Sequence, residues 1–313
     1  MGSETIKLLP TINFSQLELE RKSPNWESVK SQVKLALQEF GCFEATFDQI
    51  PRDLPDTVIQ GLRQLFELPL QTKLQNMSNK HYRGYIGQHA VVPLYESLGI
   101  DDALDLGSIE RFTNLMWSEG NPDFSTSMRS FTEKLSEFDQ IVRKLVLESL
   151  GLEKYIDEHI ESTNYLVRVQ KYEAPKNDET ELGLTAHTDK NMMTILYQNE
   201  VNGLELQTKD GHWITVEPSP NSLIVIIGDA FHAWTNGRLR SAYHRVMMKG
   251  SVDRYSVGLF SIPKEGYIIK APEEMIDEEH PLLYKPYDHF EFVKFFYTDQ
   301  GGLTALKAYC GVV

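Results

Sequence analysis

Cysteine is scarce in this chain: Cys42 and Cys310 are the only two among 313 residues, and they stand near opposite ends. Two are too few for a disulfide framework and fit a reducing, cytoplasmic setting. Long apolar runs are missing as well, none reaching the length that spans a bilayer. The opening Met1-Gly2-Ser3-Glu4-Thr5-Ile6-Lys7 has neither the basic segment nor the apolar stretch of a secretory signal, so no membrane partner is expected. Basic charge is in deficit, with 31 Lys and Arg against 45 Asp and Glu, and the net charge of -14 disfavours nucleic acid and anionic membranes as partners. Internal repeats, low-complexity tracts and long linkers are absent too, which excludes repeat arrays and tethered independent domains. What is there is a chain with 41% hydrophobic residues, long enough to bury a large core and suited to a globular enzyme.

The hydrophobic pattern divides the chain in two. From Ser23-Pro24, a cap followed by a first helical position, Trp26, Val29, Val33, Leu37 and Phe40 recur at steps of three and four up to Gly41. A second amphipathic helix is predicted from Leu54 to Glu67, and a long third from Asp123 to Leu150 with Phe131, Leu135, Phe138, Val142 and Leu145 on one stripe. After Glu161 the pattern turns to short extended runs: Leu166 to Val169, Thr194 to Tyr197, Gly203 to Gln207, Leu223 to Ile227 and Arg254 to Phe260. Asp210-Gly211 and Asn236-Gly237 supply turns. Phe290 to Tyr309 returns to helical spacing. The expected fold is mainly β with flanking α, a double-stranded β core behind a helical N-terminal region, divided as 1–160 and 161–313.

Chemistry concentrates in the second part. His187-Thr188-Asp189 and His244 offer two imidazoles and one carboxylate, a set that holds one face of a metal and leaves the other open, as non-haem Fe(II) oxygen chemistry requires. In an extended segment His187 and Asp189 point the same way, and His244, fifty-five residues on, suits a neighbouring strand. Arg254 and Ser256 share one face of a later strand; a guanidinium fork plus a hydroxyl suits a small dicarboxylate beside that metal. Gly258 and Phe260 continue the face, the glycine leaving room and the ring forming a wall for an organic substrate. Met192 and Met193 suit core packing. The remaining histidines, among them His232 and His289, lack partners at ligand spacing and are expected to be structural or superficial.

Together His187-Thr188-Asp189, His244-Arg245-Val246, Arg254-Tyr255-Ser256 and Asn236-Gly237-Arg238 resemble the plant iron- and 2-oxoglutarate-dependent dioxygenases, over almost the whole chain. Leu9 to Ser15 and Gly41 to Ala45 look like that family's early strands. Glu110 to Trp117 and Asp277 to Pro281 look most like its specialised-metabolism branch, which includes glucosinolate side-chain dioxygenases, deoxypodophyllotoxin synthase and steroidal-alkaloid hydroxylases. The resemblance implies a jelly-roll core, Fe(II) on His187, Asp189 and His244, and the distal carboxylate of 2-oxoglutarate on Arg254 and Ser256. It further implies Tyr172 as a co-substrate contact, O2 as oxidant, ascorbate as stimulant, and a monomer. Gln170-Lys171-Tyr172 stands where many relatives have Asn-Tyr-Tyr. Phe47-Asp48-Gln49 replaces a common Asn-His-Gly, which argues against the flavonoid and ethylene-forming branches.

Hydroxylation of a small plant metabolite, with release of succinate and CO2, is the expected reaction; desaturation, ring closure and demethylation stay open. Phe260, Phe112, Trp117 and the C-terminal aromatics are expected to line an apolar mouth. Two other classes compete: a zinc-dependent hydrolase, which would have no use for Arg254 and Ser256, and a catalytically silent binding protein of the same fold.

Overall fold

Ser23 accepts a hydrogen bond from the Trp26 amide and Pro24 takes the first helical position, so α1 (Pro24–Glu39) begins where its cap dictates. The computed structural model containing it describes residues 8–15, 17, 23–176, 179–298, 302 and 304–312; the opening Met1 to Lys7 lies outside them. Strand β1 (Thr11–Asn13) precedes α1, and β2 (Cys42–Thr46), α2 (Leu54–Glu67), α3 (Leu70–Lys73), β3 (Tyr95–Ile100), α4 (Ser108–Met116) and α5 (Pro122–Ser149) follow it. After α6 (Ile156–Glu161) the strands dominate: β4 (Thr163–Tyr172), β5 (Glu181–His187), β6 (Met193–Gln198), β7 (Leu204–Gln207), β8 (Trp213–Thr215) and β9 (Leu223–Ile227). The chain continues through α7 (Asp229–Trp234), β10 (His244–Met248), β11 (Arg254–Pro263), β12 (Ile268–Ile269), β13 (Tyr287–Asp288), α8 (His289–Phe296) and α9 (Ala305–Cys310).

Seven strands form one sheet in the order β1-β2-β9-β6-β11-β4-β3, and four form a second, β5-β10-β7-β8. Side chains of the two sheets meet in apolar clusters such as Leu196, Ile224 and Ile226 with Leu204 and Leu206. This is the jelly-roll arrangement, with strands from before residue 160 completing the larger sheet. Alternation along β11 sorts its residues: Tyr255, Val257 and Leu259 join the core under the helices, while Ser256, Gly258 and Phe260 take the other face. The predicted stripe of α5 lies in that same core, with Phe131, Leu135, Phe138, Val142 and Leu145 fully buried. Each such burial stabilises the fold by about 1.5–3 kcal/mol.

Two details differ from the periodicity. The C-terminal helical spacing is split between α8 and α9 instead of one helix. Asn236-Gly237 does not join two strands; both residues have positive φ, 49° and 80°, and carry the chain away from α7.

Candidate active site

His187 is the last residue of β5 and His244 the first of β10, and the two face each other in an antiparallel pair. A register shift follows His244, a bulge of the kind that re-aims side chains beside functional sites. The rings lie 4.3 Å apart, and their Nε2 atoms stand 3.6 Å (His187) and 3.9 Å (His244) from Asp189 Oδ1. One donor atom from each residue falls within 4.8 Å of the others, spacing that one metal ion can satisfy. Strand β5 stops before Asp189, so convergence comes from the loop that follows it and not from strand alternation alone.

Each imidazole turns Nδ1 to a backbone carbonyl two residues upstream, Thr185 at 2.8 Å and Ala242 at 3.0 Å. A carbonyl only accepts, so Nδ1–H donates and the Nε2 lone pair is left for a metal. Burial and the neighbouring His187 hold the His244 imidazole down at about 4, neutral at physiological pH. Burial works to raise the Asp189 carboxyl, but the adjoining imidazoles of His187 and His244 and the hydrogen bond from Thr194 outweigh it and hold it below the usual carboxylate range. Thr194 Oγ1 donates to Asp189 Oδ2 at 2.6 Å, which leaves Oδ1 for coordination.

A second layer holds the ligand loop. Thr188 turns away, as expected, and donates to Asp229, which also accepts from Lys190 at 2.7 Å and Ser241 at 2.6 Å. The Asp229 amide donates to the Asp189 carbonyl at 2.7 Å. Gly228 permits this approach, because a Cβ there would sit 2.2 Å from the Asn191 carbonyl oxygen.

Arg254 and Ser256 lie on the inner face of β11, opposite Tyr172 and Gln170 of β4. Arg254 is 1% exposed; Nη2 donates to Gln198 at 2.7 Å, its guanidinium covers the Tyr172 ring at 5.0 Å, and Nε and Nη1 have no partner. Ser256 donates to Gln170 Oε1 at 2.8 Å. Buried unpaired donors are costly, so a buried fork with two free N–H groups beside a hydroxyl fits an incoming carboxylate. The donor set of His187, Asp189 and His244 likewise fits Fe(II).

A cavity of about 840 Å³ opens on this cluster. His187, Asp189, Gln170 and Phe260 line it; His244, Arg254, Ser256 and Tyr172 are not in the lining, and Ser256 meets it through its bond to Gln170. The room at Gly258 is taken by the Phe260 ring itself, which lies where a Cβ would be, 2.6 Å away. Of the aromatics expected at the mouth, Phe290, Phe296 and Tyr297 are present in the lining. Phe112 and Trp117 are not: both pack on Phe124 of α5 in the main core, because the helical stripe that holds them faces α5. His232 bridges the Leu239 carbonyl and the Tyr284 hydroxyl, and Met192 and Met193 are core residues. Sequence reasoning missed Thr194, Asp229 and the cavity-lining Arg168 and His289. For Arg168 a signal existed, a cation inside the apolar run Leu166 to Val169.

Two histidines and a carboxylate converging inside a jelly roll, one coordination face left open, is how non-haem iron oxygenases are built, and fold and site together define this chain as one of that class. Residues 163–263 match the 2OG-Fe(II) oxygenase superfamily, and residues 9–118 the non-haem dioxygenase in morphine synthesis N-terminal family. The probable 2-oxoglutarate-dependent dioxygenase AOP1.2 of Arabidopsis thaliana is 48% identical over 309 residues, covering 96% of this chain and 95% of that protein. The Arabidopsis 2-oxoglutarate-dependent dioxygenase AOP3 is 35% identical, with 97% of each chain covered. Among solved structures, rice dioxygenase for auxin oxidation superposes with a TM-score of 0.83 at 26% identity, over 97% of this chain and all (100%) of that one. The Arabidopsis enzyme of that name, solved with 2-oxoglutarate, gives 0.79 at 26% identity over 88% of this chain and 100% of its own. The chain belongs to the 2-oxoglutarate- and Fe(II)-dependent dioxygenases, oxidoreductases that act on small molecules with Fe(II), 2-oxoglutarate and O2.

Proposed function

We propose that His187, Asp189 and His244 hold the Fe(II), that Arg254 and Ser256 bind the distal carboxylate of 2-oxoglutarate with Tyr172 beside them, and that Phe260 packs on the substrate. The observation that carries this reading is the pairing of two incomplete sites: three converging donors with free lone pairs, and a buried guanidinium with two unpartnered N–H groups. When bound, iron, 2-oxoglutarate and O2 supply the oxidising chemistry, with succinate and CO2 as by-products.

The chain's own residues do the rest. Arg254 fixes the direction of the co-substrate, because a fork of parallel N–H groups accepts a carboxylate in one orientation. Ser256 exchanges its bond to Gln170 for the same carboxylate, and Tyr172 keeps the guanidinium seated by presenting its ring face. Thr194 restrains Asp189 to one free oxygen. The aromatic wall excludes water from the reacting end. The substrate is a small plant metabolite, as the Arabidopsis relatives and the auxin-oxidising neighbours suggest, and hydroxylation is the default outcome. Residues 1–160 and 161–313 act as two regions of one enzyme, monomeric and cytoplasmic, the last in keeping with free, buried Cys42 and Cys310.

The test is succinate release by the Fe(II)-loaded protein with 2-oxoglutarate and ascorbate, screened across plant extract fractions against His187→Ala. Succinate that rises with one fraction and vanishes in the variant supports the assignment and yields the product by mass shift. Equal succinate from both proteins, at verified metal content, would remove His187 from the metal. No succinate from either would favour a silent binding protein.

A further inference from the structure

Among the described residues, five cations line the active-site cavity: Lys80, Arg83, Arg168, Lys190 and Lys294. Four have carboxylate partners. Lys80 and Arg83 pair with Asp101, Lys190 with Asp229 at 2.7 Å, and Lys294 with Glu291 at 2.6 Å. Arg168 is the exception: among the described residues no carboxylate lies within ion-pair distance of it, although it is only 2% exposed. Its Nη groups donate to the Tyr82 and Gly84 carbonyls and to Ser97 Oγ, and its Nε has no partner. These neutral acceptors orient the guanidinium without cancelling its charge, and a buried charge left uncompensated is expensive.

Arg168 stands in register with Gly258, on the same inner face as Arg254 and Ser256. Two buried guanidinium groups without carboxylate partners therefore share this face. Their positions along the sheet are four residues apart, about 13 Å at the rise of a strand. 2-Oxoglutarate serves Arg254 alone, since its other end is committed to the metal and its four C–C bonds of about 1.5 Å each are too short to add Arg168. Around Arg168 the lining turns apolar with Leu166, Phe260 and Ile262. His289, 4% exposed, also lines the cavity and carries a ring Nδ1 without a partner.

We infer that Arg168 is the substrate anchor and that the substrate is an organic acid, a carboxylate on an apolar body, with His289 supplying a hydrogen-bonding contact. The inference rests on the dioxygenase reading above and narrows it, since a neutral apolar substrate would leave Arg168 uncompensated in a cavity it had closed.

The experiment is anaerobic calorimetry on the Fe(II)-loaded protein with 2-oxoglutarate, titrated with a panel of aryl- and alkylacetic acids and their methyl esters. Acids are expected to bind at least about tenfold more tightly than their esters, the scale of one charge-assisted contact. Arg168→Gln is expected to abolish that preference, and Arg168→Lys to keep it in weakened form, because the charge survives and the free Nε–H donor does not. Equal binding of acid and ester by the wild type, or an acid preference that survives in Arg168→Gln, would overturn the assignment. A parallel 2-oxoglutarate titration separates the two readings. Unchanged co-substrate affinity in Arg168→Gln shows that the variant is folded and that Arg168 acts on the substrate alone; failure of the wild type to bind 2-oxoglutarate would sink the dioxygenase assignment itself.

Discussion

At the scale of single residues, the proposed metal site leans on groups outside its three donors. Thr194 Oγ1 occupies Asp189 Oδ2, and replacing it by Val removes the donor while keeping the shape. Supporting contacts of this kind are worth roughly 10–100-fold in metal affinity. Thr194→Val is expected to bind Fe(II) more weakly in that range, measured by chelator competition; affinity equal to wild type would show that Asp189 orients itself. His289 makes a second prediction. Burial, then the charge of Arg83, hold its imidazole down at about 4 against an ordinary 6.5. The folded protein thus keeps it neutral where the unfolded chain takes up a proton, so its contribution is complete above pH 6.5 and lost as pH falls to about 4. The full loss is about 3 kcal/mol. Urea denaturation at pH 7 and pH 4.5 is expected to show a smaller acid penalty for His289→Gln than for wild type, and identical penalties would show that the ring is charged in the fold.

At the scale of elements, α5 is held to the large sheet by polar contacts as well as by its apolar stripe. Asp139 accepts from Tyr165 on β4 at 2.8 Å and from Ser261 on β11 at 3.1 Å, and pairs with Arg143 at 2.9 Å, all of them buried. Removing the carboxylate strands a buried guanidinium, a change that costs about 3–5 kcal/mol. Asp139→Ala is expected to lose that much by chemical denaturation while keeping its metal content, because α5 lies on the face of the sheet away from the metal. A loss under about 1 kcal/mol would reduce the pair to a surface-like contact. Helix α5 also shows what was legible in the chain. Its stripe, its length and the Ser23-Pro24 start of α1 were readable because 3.6-residue periodicity and caps are local signals. That Arg254 and Ser256 share one face of a strand was readable from side-chain alternation, whereas Asp189 meets His187 through a loop that alternation does not predict. Asp229 and Thr194 were not readable, since their importance comes from neighbours distant in sequence or across a loop. Phe112 and Trp117 were misplaced because an aromatic's residue type does not tell a core from a cavity wall.

At the scale of the whole molecule, the proposed assignments place the metal donors and the co-substrate anchors on different sheets. His187 and His244 belong to the four-stranded sheet, whereas Arg254, Ser256 and Tyr172 belong to the seven-stranded one. A co-substrate held as proposed, between the metal and Arg254, would tie one sheet to the other. Any ligand that binds only the folded state stabilises it, by about 2.7 kcal/mol at a concentration a hundred times its dissociation constant. Thermal unfolding under argon is expected to rise on adding a divalent metal and to rise again on adding 2-oxoglutarate. Arg254→Gln is expected to keep the first rise and lose the second, while His187→Ala loses both, since the co-substrate needs the metal for its other end. A second rise that survives in Arg254→Gln would mean that the diacid is held by the four-stranded sheet alone, and the buried guanidinium would then need another partner.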